Sequence, residues 1–243
     1  MRNGVSRLRG LELKVLGGVA AIFAAVWVFL AVADEIQDEE VMAVDERILL
    51  ALRNPADYSD PLGPGWLEEM GRDFTALGGV GVLTLLTLGT CIYLLMIHRA
   101  RAALFTMAAI GSGWIVSNVL KMGFDRPRPD LVPHGSIVYT ASFPSGHAMM
   151  SAVTYLTLAV LLGRAVPSWR LRSFFLFVAM FLTVLAGVSR VYLGVHWPTD
   201  VVAGWAVGAA WAGMCWLVER WMQERGMVES TPQDAATRNE PPA

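Results

Sequence analysis

A chain of 243 residues that is 55% hydrophobic and 16% charged, with a mean hydropathy of +0.48, is too apolar for an ordinary soluble domain. The formal net charge of −2 is close to neutral and hides a marked asymmetry between loops. A soluble bundle with deeply buried helices is the bland alternative, and the lengths of the uncharged runs weigh against it.

The first such run predicts a membrane span over residues 15–33. Its apolar part exceeds the ~7–15 residues of a signal-peptide core, so the run is kept as a span. From Asp34 to Asp73 the chain carries twelve acids against Arg47, Arg53 and Arg72. Within it, Ala43 to Leu52 places apolar residues at helical spacing, which predicts an amphipathic helix on the interface or against the protein. Pro55, Pro61 and Pro64, with Gly63 and Gly65, predict an irregular turn before Trp66.

Further spans are expected over 74–97, 102–120, 147–164, 173–189 and 200–220. A spanning helix needs roughly 17–25 apolar residues, and the shorter fourth run extends itself with the segment Pro144–His147 and the stem of Arg164. The fold class is therefore all-α, a bundle of six transmembrane helices with a short interfacial helix between the first two. Residues 1–222 form one membrane domain, and the polar tail 223–243 is expected to be disordered. Gly204-x-x-x-Gly208 in the last span offers a close-packing surface, within the bundle rather than for dimerisation.

Arg2, Arg7, Arg9 and Lys14, then Arg99 and Arg101, then Arg164, Arg170 and Arg172, then Arg220 and Arg225 all fall on one side of a six-pass chain. The positive-inside rule makes that side cytoplasmic, with both termini. The acidic segment and the loops 121–147 and 189–200 then face outward. Cys91 and Cys215 each lie inside a predicted span, and suggest packing rather than a disulfide or metal site.

Three outward segments carry polar groups at membrane ends. Lys121 closes the third span and Arg128 follows seven residues later; for Lys121 alone, a simple membrane anchor is an equal alternative. Of the two loop arginines, Arg126 reads as an anchor and Arg128 as the site residue. Ser145-Gly146-His147 opens the fourth span, where free backbone N–H groups and the helix dipole make an anion site, although Ser145 could be only an N-cap. His196 and Asp200 stand one helical turn apart, with Arg190 upstream and Pro198 where a helix would begin. An imidazole held by a carboxylate beside a guanidinium is suited to nucleophilic attack on a charged oxyanion. Together these segments supply three cations, a helix N-terminus and two histidines, a set matched to a transferring phosphoryl group.

Lys121…Arg128-Pro129, Pro144-Ser145-Gly146-His147 and Ser189-Arg190…His196…Asp200 together resemble the three-part signature of the type 2 phosphatidic acid phosphatase and vanadium haloperoxidase superfamily. The motifs cover about a third of the chain, and the six-span pattern resembles the membrane-bound bacterial lipid phosphatase branch. The resemblance implies His196 as nucleophile forming a phosphohistidine, Asp200 as its partner, and His147 as the acid that protonates the leaving oxygen and then activates water. It also implies Lys121, Arg128, Ser145, Gly146 and Arg190 as phosphate ligands, no metal or other cofactor, and no nucleic-acid partner. The expected substrate is a lipid phosphate or diphosphate on the outer side of a bacterial inner membrane. Polyprenyl diphosphate is slightly favoured over phosphatidylglycerol phosphate, phosphatidic acid and lipid A phosphates. A phosphotransferase of the same fold is the runner-up, and a non-catalytic lipid carrier or scramblase a distant third.

Overall fold

The computed structural model describes residues 2–134 and 140–228, which include eight helices and one small hairpin. Helix α1 (Arg2–Glu35) holds the first span. Helix α2 (Glu39–Leu50) begins at Asp38, whose carboxylate accepts the Glu40 and Val41 amides at 2.8 and 3.4 Å, satisfying two of the donors a helix start leaves open. The expected amphipathic helix therefore forms. It buries Asp45 and Leu49, one turn apart on the same face, and leaves Met42, Val44 and Ile48 exposed.

The proline-rich segment is more regular than expected. Strands β1 (Arg53–Asn54) and β2 (Asp57–Pro61) pair antiparallel, with Asn54 opposite Asp57 and Arg53 opposite Pro61. Pro61 is tolerated because it ends an edge strand.

The span expected over 74–97 is a bent pair of helices. Helices α3 (Gly65–Ala76) and α4 (Val80–Met96) meet at 47°. Gly78 and Gly79 fall in the break, where paired glycines weaken a helix. Gly78 is also pressed close, since a Cβ there would lie 3.0 Å from the His147 carbonyl oxygen. Helices α5 (Ala100–Gly123), α6 (Gly146–Ala165), α7 (Trp169–Tyr192) and α8 (Pro198–Glu224) follow. Counting the bent pair once, the described residues hold six spans long and apolar enough to cross a membrane. Their outer surface is apolar, with Phe23, Trp27, Leu85, Ile92, Ile115, Phe174, Phe177 and Phe181 exposed, as a lipid-facing surface requires. The tail expected from residue 223 starts as helix, because α8 runs to Glu224; residues 229–243 lie outside the described residues.

Helix α6 is the centre of the bundle, packed by α7 on one side and α8 on the other. Small residues set these distances. A Cβ on Gly208 would lie 2.5 Å from the Met149 carbonyl oxygen, and one on Gly204 would lie 2.7 Å from that of Ser145. The Gly-x-x-x-Gly surface thus seats α8 on α6 within the bundle, as expected. Trp205 fills the space left by Gly187 on α7, and Trp216 that left by Gly18 on α1. Trp211 closes the α5–α8 contact by donating to the Ala109 carbonyl at 3.0 Å.

Candidate active site

Helices α5 and α7 end, and α6 and α8 begin, at one end of this bundle. Lys121 lies in the last turn of α5 and Arg190 in the last turn of α7. Ser145 caps α6, and Trp197 caps α8 with Asp200 in its first turn. The three motif segments therefore meet in space. Lys121, Arg128, Gly146, His147, Arg190 and His196 line a single cavity of about 600 Å³. Away from these charges the cavity runs between α4 and α5, along Val80, Leu83, Leu88, Met107, Ile110 and Trp114.

His196 is 1% exposed. Its Nδ1 faces Asp200 Oδ2 at 3.3 Å, and its Nε2 lies 3.1 Å from Arg128 Nη1. Burial pushes the imidazole pKa down to about 3, overriding the opposite pull of Asp200, so the ring is neutral near pH 7. A proton on Nδ1 directed at Asp200 leaves the Nε2 lone pair towards the cavity.

Arg128 is fixed by donating from Nη1 to the Val195 carbonyl at 2.6 Å and from Nε to the Thr140 carbonyl at 2.8 Å. Burial draws its pKa below the usual guanidinium value. Lys121 Nζ donates to the Ala141 carbonyl at 2.9 Å, and Arg190 Nη1 to Thr75 Oγ1 at 2.8 Å. Gly146 keeps the helix start open, because a Cβ there would stand 3.3 Å from Lys121 Cε. Ser145 is fully buried, and its hydroxyl accepts the Ala148 amide at 3.4 Å. It stands behind the cavity wall, as does Asp200 behind His196.

Arg126 departs from the sequence reading. Expected at the membrane boundary, it is instead buried, and Asp45 and Asp200 hold it at 2.9 and 2.7 Å. A guanidinium between two carboxylates has no need of the membrane surface to satisfy its donors. Four further residues went unrecognised in the sequence. Ser142 donates a short hydrogen bond to Asp200 Oδ2 and lies 3.3 Å from His196 Nδ1. Thr199 bonds both Arg126 and Asp45, and Asp45 itself is fully buried. Arg53 is also buried and donates to the Tyr192 carbonyl at 2.9 Å, so its charge sits at the C-terminal end of α7.

Residues 99–224 match the PAP2 superfamily. Over 186 residues the chain is 32% identical to phosphatidylglycerophosphatase B of Bacillus subtilis (strain 168), covering 74% of this chain and 85% of that one. A shorter stretch of 68 residues is 40% identical to undecaprenyl-diphosphatase of Sulfolobus acidocaldarius, covering 28% and 29% of the two chains. Among solved structures, the transmembrane PAP2 type phosphatidylglycerolphosphate phosphatase from Bacillus subtilis superposes with a TM-score of 0.72 at 27% identity, over 83% of this chain and 96% of its own. The chain belongs to the PAP2 superfamily, as a multi-pass membrane phosphatase.

Proposed function

We propose that the protein removes a terminal phosphate from a membrane lipid by way of a phosphohistidine, with phosphatidylglycerophosphate as first candidate. The cavity carries this reading, because one end gathers three cations and two imidazoles while the other is an apolar slot between two spans. An amphiphile with a phosphate head and a lipid tail suits both ends at once. The long alignment with a phosphatidylglycerophosphatase supports that lipid, and the shorter one keeps polyprenyl diphosphate second.

In the proposed reaction His196 Nε2 forms a bond to phosphorus as the bond to the lipid oxygen breaks. Protonated His147 gives its proton to that oxygen. Water then attacks phosphorus, His147 takes a proton back, the N–P bond breaks and phosphate leaves. Lys121, Arg128, Arg190 and the start of α6 stabilise the equatorial oxygens, and Ser145 holds that helix start in shape. Arg99, Arg101, Arg164, Arg170, Arg172 and Arg220 lie at the opposite end of the bundle. That distribution supports an outward-facing site in an inner membrane with both termini cytoplasmic.

The test is phosphate release from phosphatidylglycerophosphate, polyprenyl diphosphate, phosphatidic acid and lipid A in detergent with EDTA. Wild-type protein is expected to turn over the first fastest, and His196→Ala to release none above background. Near wild-type turnover by His196→Ala would overturn the assignment.

A further inference from the structure

We propose that Asp45, on the interfacial helix and outside all three motifs, is a positioning residue that keeps Asp200 fully charged towards His196. The inference rests on the phosphohistidine reading above. Asp45 lies 81 residues before Arg126 in the chain, yet its Oδ2 accepts from Arg126 Nη2 at 2.9 Å. The same oxygen accepts from the Thr199 hydroxyl at 2.5 Å, and Oδ1 accepts the Thr199 amide at 3.0 Å. Arg126 turns its other nitrogen, Nη1, to Asp200 Oδ1 at 2.7 Å and to Thr199 Oγ1 at 2.7 Å. Both carboxylates are fully buried.

The charge count gives this chain of contacts its purpose. Arg126 and Asp200 alone sum to zero, and a guanidinium on Oδ1 draws charge from the carboxylate that must serve the histidine. Adding Asp45 returns the cluster to a net charge of −1. While Nε2 bonds to phosphorus and the lipid oxygen departs, positive charge builds on the imidazole, and the Nδ1 proton stays shared with Asp200 Oδ2. A net negative cluster stabilises that charge in a buried site where screening is weak. Asp45 also supplies a carboxylate to the Thr199 amide in the first turn of α8, fixing the helix start that carries Asp200.

A purely structural clamp would lower stability and leave the chemical step alone, whereas a charge-setting role lowers kcat with KM little changed. Asp45→Asn is expected to reduce kcat for lipid phosphate release roughly ten- to a hundredfold, with KM within about twofold. Asp45→Glu is expected to recover part of the loss, and Glu39→Gln, exposed on the same helix, to match wild type. The double variant Asp45→Asn/Arg126→Met, which removes both charges, is expected to be faster than Asp45→Asn. Orthovanadate, a trigonal-bipyramidal phosphate mimic, is expected to bind Asp45→Asn about tenfold more weakly by calorimetry.

A kcat within about twofold of wild type for Asp45→Asn, or a double variant no faster than the single, overturns the proposal. If Asp45→Asn fails to fold, the double variant decides: turnover as low as His196→Ala overturns the idea. A wild-type protein that hydrolyses none of the lipids would instead defeat the functional reading. The orthovanadate comparison still judges Asp45 in that case, and unchanged affinity there rejects it.

Discussion

The seating of α8 on α6 sets the position of His147, and Gly204→Ala tests this directly. A methyl at position 204 would lie 2.7 Å from the Ser145 carbonyl oxygen and 2.9 Å from Ala148 Cβ, where ordinary contact begins at 3.4 Å. The obstructing atom is backbone in the first turn of α6, so no flexible side chain can turn aside. The two helix ends must separate by about 0.7 Å, and overpacking of this kind costs about 1–3 kcal/mol. His147 lies two residues beyond Ser145 and moves with it. Since a misplacement near 1 Å can cost about a hundredfold in rate, kcat should fall about ten- to a hundredfold. Gly89→Ala is the control, because nothing lies within 4 Å of a Cβ there; it should keep full activity and gain up to about 1 kcal/mol of helix propensity. Phosphate release and thermal unfolding in detergent measure both effects. A Gly204→Ala protein with wild-type kcat and unchanged Tm would refute the claim that this contact holds the site.

Two further predictions address the slot and His196. Gly111 lines the slot on α5 with open space where its Cβ would be, so Gly111→Trp should lower kcat/KM about tenfold for a dioleoyl lipid phosphate and much less for a dihexanoyl one; equal losses would show that the slot does not hold tails. His196 has a folded pKa lowered to about 3 by burial, against roughly 6.5 when unfolded. Between those values the unfolded chain binds the extra proton. The contribution of His196 to stability is therefore complete above about pH 6.5 and is lost as pH falls towards 3, at no more than about 1.4 kcal/mol per pH unit. Thermal unfolding from pH 7 to 4.5 should show a steeper decline for wild type than for His196→Gln, and parallel curves would contradict the neutral buried imidazole.

The spans were legible because uncharged runs of membrane length leave few alternatives, and the convergence of the motif residues on one cavity because their spacings put them at helix ends. The bend at Leu77–Gly79 was not, since it interrupts no apolar run; only the Gly78-Gly79 pair marks it. Asp45, Arg126, Ser142 and Thr199 were hidden for another reason. Arg126 and Asp200 are 74 residues apart, and no local pattern announces their contact. One signal was available for Asp45. It stands four residues before Leu49, on the same face of an amphipathic helix, so a helix that buries Leu49 must bury the carboxylate too. A charge on an apolar stripe demands a partner, and the loop arginines were the cations at hand.

Under the proposed function, the antiparallel bundle also accounts for how one end of the protein would attract phosphate while holding two carboxylates. Lys121 and Arg190 occupy the last turns of α5 and α7, where the helix dipole favours cations. The start of α6 offers its amides to the same cavity through Gly146, whose lack of a side chain leaves the approach clear. Asp200 takes the matching position for an anion, the first turn of α8, but its oxygens are engaged by Trp197 N, Ser142, Arg126 and His196. Asp200 thus sits one layer behind the cavity wall, with His196 between it and the cavity, and Asp45 lies beyond it across Arg126. In the proposed reaction their charge would reach the substrate chiefly through the imidazole, promoting attack instead of repelling the anion.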